Sequence, residues 1–155
     1  MKIALQRILV PTDFSKESNA ALQYGVGLAE AFDAQLHLLH VLEVIAGAEP
    51  LTWQIDQRKA IEARIEAAAW DELRRLLPAA DQARFKAELA LEWGSPLEEI
   101  IRYAGEHAIE LITMGTHGRG GVKRLIIGSV AENVVRSARC PVLTVRQPER
   151  EFVLP

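Results

Sequence analysis

The chain has 155 residues, 49% hydrophobic and 25% charged, with a formal net charge of −3. That balance supports a buried core and excludes a disordered chain, while the net negative charge gives no drive toward nucleic acid or an anionic membrane. One cysteine, Cys140, excludes an intrachain disulfide framework, and its place before Pro141 in an apolar run predicts a buried thiol.

The first residues lack an apolar core followed by a small-residue cleavage site, and the longest apolar stretch, 36–48, is too short to span a bilayer. A cytoplasmic location is therefore expected. Ile8-Leu-Val10 is a β-branched run stopped by Pro11 and predicts a first strand buried on both faces. Residues 11–18 carry turn and cap chemistry, in which Asp13 or Ser15 accepts N–H bonds at a helix start. Ala21, Tyr24, Gly25, Leu28 and Phe32 recur at helical spacing, Asp33-Ala34 breaks the pattern, and 35–44 reads as a second strand. His37 and His40 fall on opposite faces of that strand and do not make a metal site.

Residues 46–52 read as a loop, and 54–77 as a long helix with the stripe Ile61, Ile65, Ala68, Ala69, Leu73, Leu76 and Leu77, ended by Pro78. Residues 85–93 alternate strictly, as a strand with one half-exposed face does, which places it at a sheet edge. Ser95-Pro-Leu-Glu98 has the form of a capping box before a further helix, and Ser129 with Glu132 predicts a second box before the helix from Val130. Strands are expected at 109–114 and 142–145. Strict alternation of strand and helix calls for a parallel sheet with helices on both faces, with residues 1–147 as a single domain and 148–155 as a loose tail. In such sheets ligands sit beyond the carboxyl ends of the strands, where the strand order reverses. Pro11–Asp13 and Gly115 both follow strand ends and would face one crevice if the first and fourth strands are neighbours.

The segment after Met114 runs Gly115-Thr-His-Gly118-Arg-Gly-Gly-Val-Lys-Arg-Leu-Ile-Ile-Gly128-Ser129. It holds five glycines and three cations, Arg119, Lys123 and Arg124, between a strand end and a helix start. Glycine permits close backbone approach, and a helix N-terminus favours negative charge, so the segment suits phosphate. It is neither a P-loop, because no hydroxyl residue follows Lys123, nor a dinucleotide fingerprint, because Lys123 stands where the third glycine belongs. A hydrolase triad of Asp13, His117 and Ser129 lacks the strained elbow such a nucleophile needs.

The spacing Gly115-x2-Gly118-x9-Gly128-Ser129 resembles the ATP-binding signature of the universal stress protein family. The opening Ile8-Leu-Val-Pro-Thr-Asp-Phe-Ser15, the strand Leu38-Leu-His-Val41 and Cys140-Pro-Val-Leu-Thr-Val145 resemble it as well, so the likeness covers nearly the whole chain. The resemblance implies an open five-stranded parallel sheet of order 3-2-1-4-5 (a Rossmann-like, adenine nucleotide α-hydrolase-like fold) and a homodimer paired through Val142–Val145. It implies ATP with Mg or Mn as cofactor. Pro11, Thr12, Val41 and Met114 would wall the adenine, and Asp13 would reach the ribose or, indirectly, the nucleotide-bound metal. Gly115 would pass close to the ribose with His117 in the adjoining loop, and Gly118, Arg119, Gly128, Ser129 and Val130 would hold the phosphates. The expected role is nucleotide-dependent stress signalling or protection, with protein partners not identified. A slow ATPase or autophosphorylating enzyme and a nucleotide-independent dimeric scaffold are the alternatives.

Overall fold

The structure, a computed structural model, describes residues 4–43, 52–116 and 128–146. In chain order the elements are β1 (Arg7–Pro11), α1 (Lys16–Phe32), β2 (Gln35–Leu42), α2 (Thr52–Leu76) and α3 (Ala79–Arg84). They continue with β3 (Glu88–Trp93), α4 (Pro96–Glu106), β4 (Leu111–Gly115), α5 (Ser129–Ser137) and β5 (Val142–Val145). The five strands form one parallel sheet of order β3-β2-β1-β4-β5. The expected loop at 46–52 lies almost wholly, and the tail at 148–155 wholly, outside the described residues.

Alternation along each strand divides the core into two layers. Ile8, Val10, Leu36 and Leu38 pack with Leu22 and Ala29 of α1 and with Leu73, Leu77 and Phe85. Leu9, Leu39, Ile112 and Met114 pack on the opposite face with Ile100 and Tyr103 of α4 and Ala131 and Val134 of α5. Burial on both faces explains why β1 reads as an unbroken apolar run.

Several boundaries differ from the expected ones for identifiable reasons. β1 continues through Pro11, and Thr12 N donates to Leu39 O at 2.8 Å just past the strand end. The buried stripe of α1 is Ala21, Leu22, Gly25 and Ala29, while Phe32 is 39% exposed. A Cβ on Gly25 would lie 2.5 Å from Val10 Cγ2, so the helix rides close over β1 at this glycine and its larger side chains turn to the flanks. α2 has 25 residues, roughly 37 Å at 1.5 Å per residue, whereas the eight residues of β2 span about 26 Å. The helix therefore overhangs the sheet: Ala69 and Leu73 are buried, but Ile61 is 55% exposed.

The short helix α3 has no counterpart in the expected elements. It makes Phe85 a buried helix C-cap, and Lys86 takes φ 47°, so the alternating stretch becomes a strand only at Glu88. β3 does lie at the sheet edge, as expected. Ser95 is the N-cap of α4, but its side chain makes no cap bond. The first turn rests instead on Pro96 and on the charges of Glu98 and Glu99. Cys140 is half-buried, and burial pushes its thiol pKa up, which keeps it protonated.

His37 and His40 do face opposite sides of the sheet. His37 is buried with Nδ1 3.0 Å from the Tyr103 hydroxyl. Burial lowers its pKa from 6.5, against the opposing pull of Glu88 and with smaller contributions from His107 and Arg7.

Two outcomes follow for stability. Leu73→Ala, at a site with no exposure, is expected to cost about 2–5 kcal/mol in urea unfolding, and Ile61→Ala less than about 0.5 kcal/mol. His37 stays neutral in the fold and charges more readily in the unfolded chain, so the unfolded state binds more protons below the ordinary value of 6.5. Its contribution is whole above that pH and declines as pH falls toward the lowered folded value. The pH slope of unfolding free energy should flatten in this window in His37→Gln, and an unchanged slope would refute the assignment.

Candidate functional site

β1 and β4 are neighbours, but the chain leaves them toward opposite faces. After β1 it turns into α1 on one layer, and after β4 it reaches α5 on the other. In parallel sheets wound this way, such a divergence leaves a crevice beyond the carboxyl ends of the two strands.

On the β1 side the loop is held by its own hydroxyls and carboxylate. Thr12, 5% exposed, accepts from Phe14 N at 3.1 Å through Oγ1, which also lies 3.1 Å from Ser18 Oγ. Asp13 Oδ1 accepts from Ser15 N at 3.0 Å, and Ser15 Oγ accepts from Ser18 N at 3.2 Å as the N-cap of α1. Both expected cap residues thus act, one on the turn and one on the helix. His40 Nδ1 lies 2.7 Å from the Thr12 carbonyl oxygen, and the His40 ring packs on Phe14 with centroids 4.2 Å apart.

On the β4 side, Met114 is buried, and Thr116 N donates to Val145 O at 2.9 Å, one residue beyond the strand. Gly128 N donates to Thr116 O. The residues flanking the glycine-rich segment are therefore tied together at the rim of the crevice. Gly128, not Ser129, is the N-cap of α5, and as a glycine it has no side chain with which to cap the helix. Ser129 occupies the first helical position with its side chain exposed, and its carbonyl accepts from Asn133 Nδ2 at 2.9 Å. Glu132 pairs with Arg136 at 2.8 Å, so the expected capping box is not made. The cap falls on Gly128 because the Thr116 bond fixes where the chain enters the helix. A glycine cap supplies no side-chain acceptor, and the first-turn N–H groups of an α-helix have no intrahelical partner.

The structure thus brings Pro11, Thr12, Asp13, Met114, Gly115, Gly128, Ser129 and Val130 to the strand ends. Pro11, Val41 and Met114 lie on strand positions that face the α4 and α5 layer; Met114 belongs to its core, and Val41, half-buried, packs against it. His117, Gly118 and Arg119 lie outside the described residues. Among the described residues no three His, Cys, Asp or Glu side chains form a group able to hold a metal ion.

Gly115 has a role that spacing alone did not reveal. A Cβ there would lie 2.8 Å from Glu17 C and 2.9 Å from Glu17 O, so β4 passes against the first turn of α1. His40 and Ser18 were also missed. Alternation from Val41 puts His40 on the face of the β1–α1 loop, which is the signal that marks it. Gly115→Ala is expected to destabilise the protein by about 1–3 kcal/mol in the absence of any ligand, because backbone must move to admit the methyl group. Unfolding as stable as wild type would refute this packing role.

The sequence model of the Universal stress protein family matches residues 4–146. Universal stress protein MJ0531 of Methanocaldococcus jannaschii is 30% identical over 149 residues, which cover 94% of this chain and 85% of that protein. The solved structure of universal stress protein UspA from Lactobacillus plantarum superposes with a TM-score of 0.76 at 28% identity, covering 94% of this chain and 100% of that one. That of MJ0577, also from Methanocaldococcus jannaschii, gives 0.78 at 26% identity, covering 97% and 100%. The parallel order β3-β2-β1-β4-β5, the crevice at its reversal and the match over residues 4–146 lead to one conclusion: the chain belongs to the universal stress protein family.

Proposed function

We propose that this protein is a cytoplasmic ATP-binding member of its family, acting in nucleotide-dependent stress signalling or protection rather than as a dedicated catalyst. The observation that carries the reading is the glycine-capped start of α5, set at the rim of the crevice by the Gly128–Thr116 bond. Phosphate oxygens are the acceptors that an uncapped helix start favours, through its N–H groups and its dipole. In this reading the Ser129 hydroxyl and the amides of Gly128, Ser129 and Val130 contact the phosphates, joined by Gly118 and Arg119. Pro11, Thr12, Val41 and Met114 border the adenine, and Asp13 reaches the ribose or a Mg or Mn ion on the phosphates. When bound, that cation would neutralise phosphate charge and keep several of its waters.

The polar atoms of Thr12 are engaged within the protein, so its contribution is a rigid wall rather than a hydrogen bond. β5 ends the sheet with an unpaired edge among the described residues, and we place a homodimer contact on Val142–Val145. No helix among the described residues is long and apolar enough to cross a membrane.

The test is calorimetric titration of nucleotide-stripped protein with Mg-ATP and with AMP, alongside identification of any small molecule released on denaturation. A micromolar ATP dissociation constant, about −8 kcal/mol, with AMP at least about tenfold weaker, is expected. Ser129→Ala should weaken ATP by about fivefold, the worth of one hydroxyl contact. Equal affinity for ATP and AMP would refute the phosphate cradle, and no heat with either would favour the scaffold alternative.

A further inference from the structure

Besides its internal bonds, the β1–α1 loop is contacted by a side chain that is not part of it. His40, on β2, reaches the Thr12 carbonyl oxygen with Nδ1 at 2.7 Å. A carbonyl oxygen only accepts, so Nδ1 carries the hydrogen and donates. The same ring lies on Phe14, tilted by 37° with centroids 4.2 Å apart. Phe14 holds φ 64°, a left-handed conformation that a bulky residue enters only when its surroundings impose it. Phe14 N in turn donates to Thr12 Oγ1 at 3.1 Å. Asp13 sits between the two residues that His40 grips, one through its carbonyl and the other through its ring.

We propose that His40 is a positioning residue for the nucleotide site. Through its Nδ1–H bond to Thr12 it holds the Thr12–Phe14 turn so that the Asp13 carboxylate is presented at the crevice. The inference rests on the reading of that crevice as a nucleotide site. It adds a division of labour along β2: Val41 faces the adenine side, while His40, on the opposite face, sets the ribose side without touching ligand. With Asp13 on the ribose, which all adenosine phosphates share, loss of His40 weakens ATP and AMP by the same factor. That signature differs from the loss of a contact to the β- or γ-phosphate, which would weaken ATP and leave AMP unchanged.

The experiment compares wild type, His40→Leu and His40→Asn. Leucine keeps apolar bulk and removes the donor, whereas asparagine places an amide N–H where Nδ1–H stands and removes the ring. Three quantities are read: ATP and AMP dissociation constants, amide exchange of Phe14 and Ser15 by NMR, and melting temperature. Expected for His40→Leu is a loss of about tenfold in affinity for both nucleotides, an unchanged ATP-to-AMP ratio, and exchange at Phe14 and Ser15 about tenfold faster. Expected for His40→Asn is recovery of both to within about threefold of wild type.

Wild-type affinity in His40→Leu overturns the proposal. So does a His40→Asn protein as impaired as His40→Leu, or a fall in melting temperature that accounts for the whole affinity loss. If wild type binds no adenine nucleotide, the functional reading and the nucleotide role of His40 both fail. The exchange arm then still decides whether His40 holds the turn, since unchanged exchange in His40→Leu overturns that as well.

Discussion

Burial of β1 on both faces is the constraint from which the rest of the molecule follows. Ile8 and Val10 must be covered from one side and Leu9 from the other, and the sheet around this strand separates the two core layers. A strand covered on both faces requires helices above and below, and parallel pairing requires those helices to serve as the crossovers. With β2 on one flank and β4 on the other, the crossovers leave on opposite sides. The crevice at the strand ends is therefore a consequence of how the core is covered.

The two helices that begin at this crevice are finished differently. α1 has a serine cap and a carboxylate that takes the preceding amide, so its entry is satisfied from within. α5 begins on glycine, which has no side chain with which to cap it. Of the two helix starts, only α5 is preceded by the cation-bearing glycine segment. The two helix starts at the strand ends thus differ in how their first turns are finished.

Close approach joins the two sides. Gly115 lies against the backbone of Glu17, and Gly128 is bonded to Thr116, so the end of β4 touches the start of α1 and fixes the start of α5. A nucleotide that contacts both would bridge elements already held in register by backbone contacts. Such preorganisation lowers the ordering cost of binding. The overhang of α2, with Ile61 exposed, lies outside this arrangement and takes no part in it.

The order of elements, the buried and edge strands and the glycine spacing were legible in the sequence, because hydrophobic period and glycine placement are local properties of the chain. So were Asp13 and Ser15 as turn and cap residues. Helix α3 was not legible, since its six residues bury nothing of their own and leave no periodic stripe. Nor was the shift of the α1 stripe, which depends on Gly25 meeting Val10. Ser129 has the composition of a cap, yet Gly128 caps α5, because the cap is chosen by where Thr116 binds the returning chain. The sequence by itself determined an alternating α/β chain with a glycine-rich turn after its fourth strand. Tertiary structure alone decided that His40 grips the β1–α1 turn and that Gly115 serves α1, because both are through-space contacts between residues far apart in the chain.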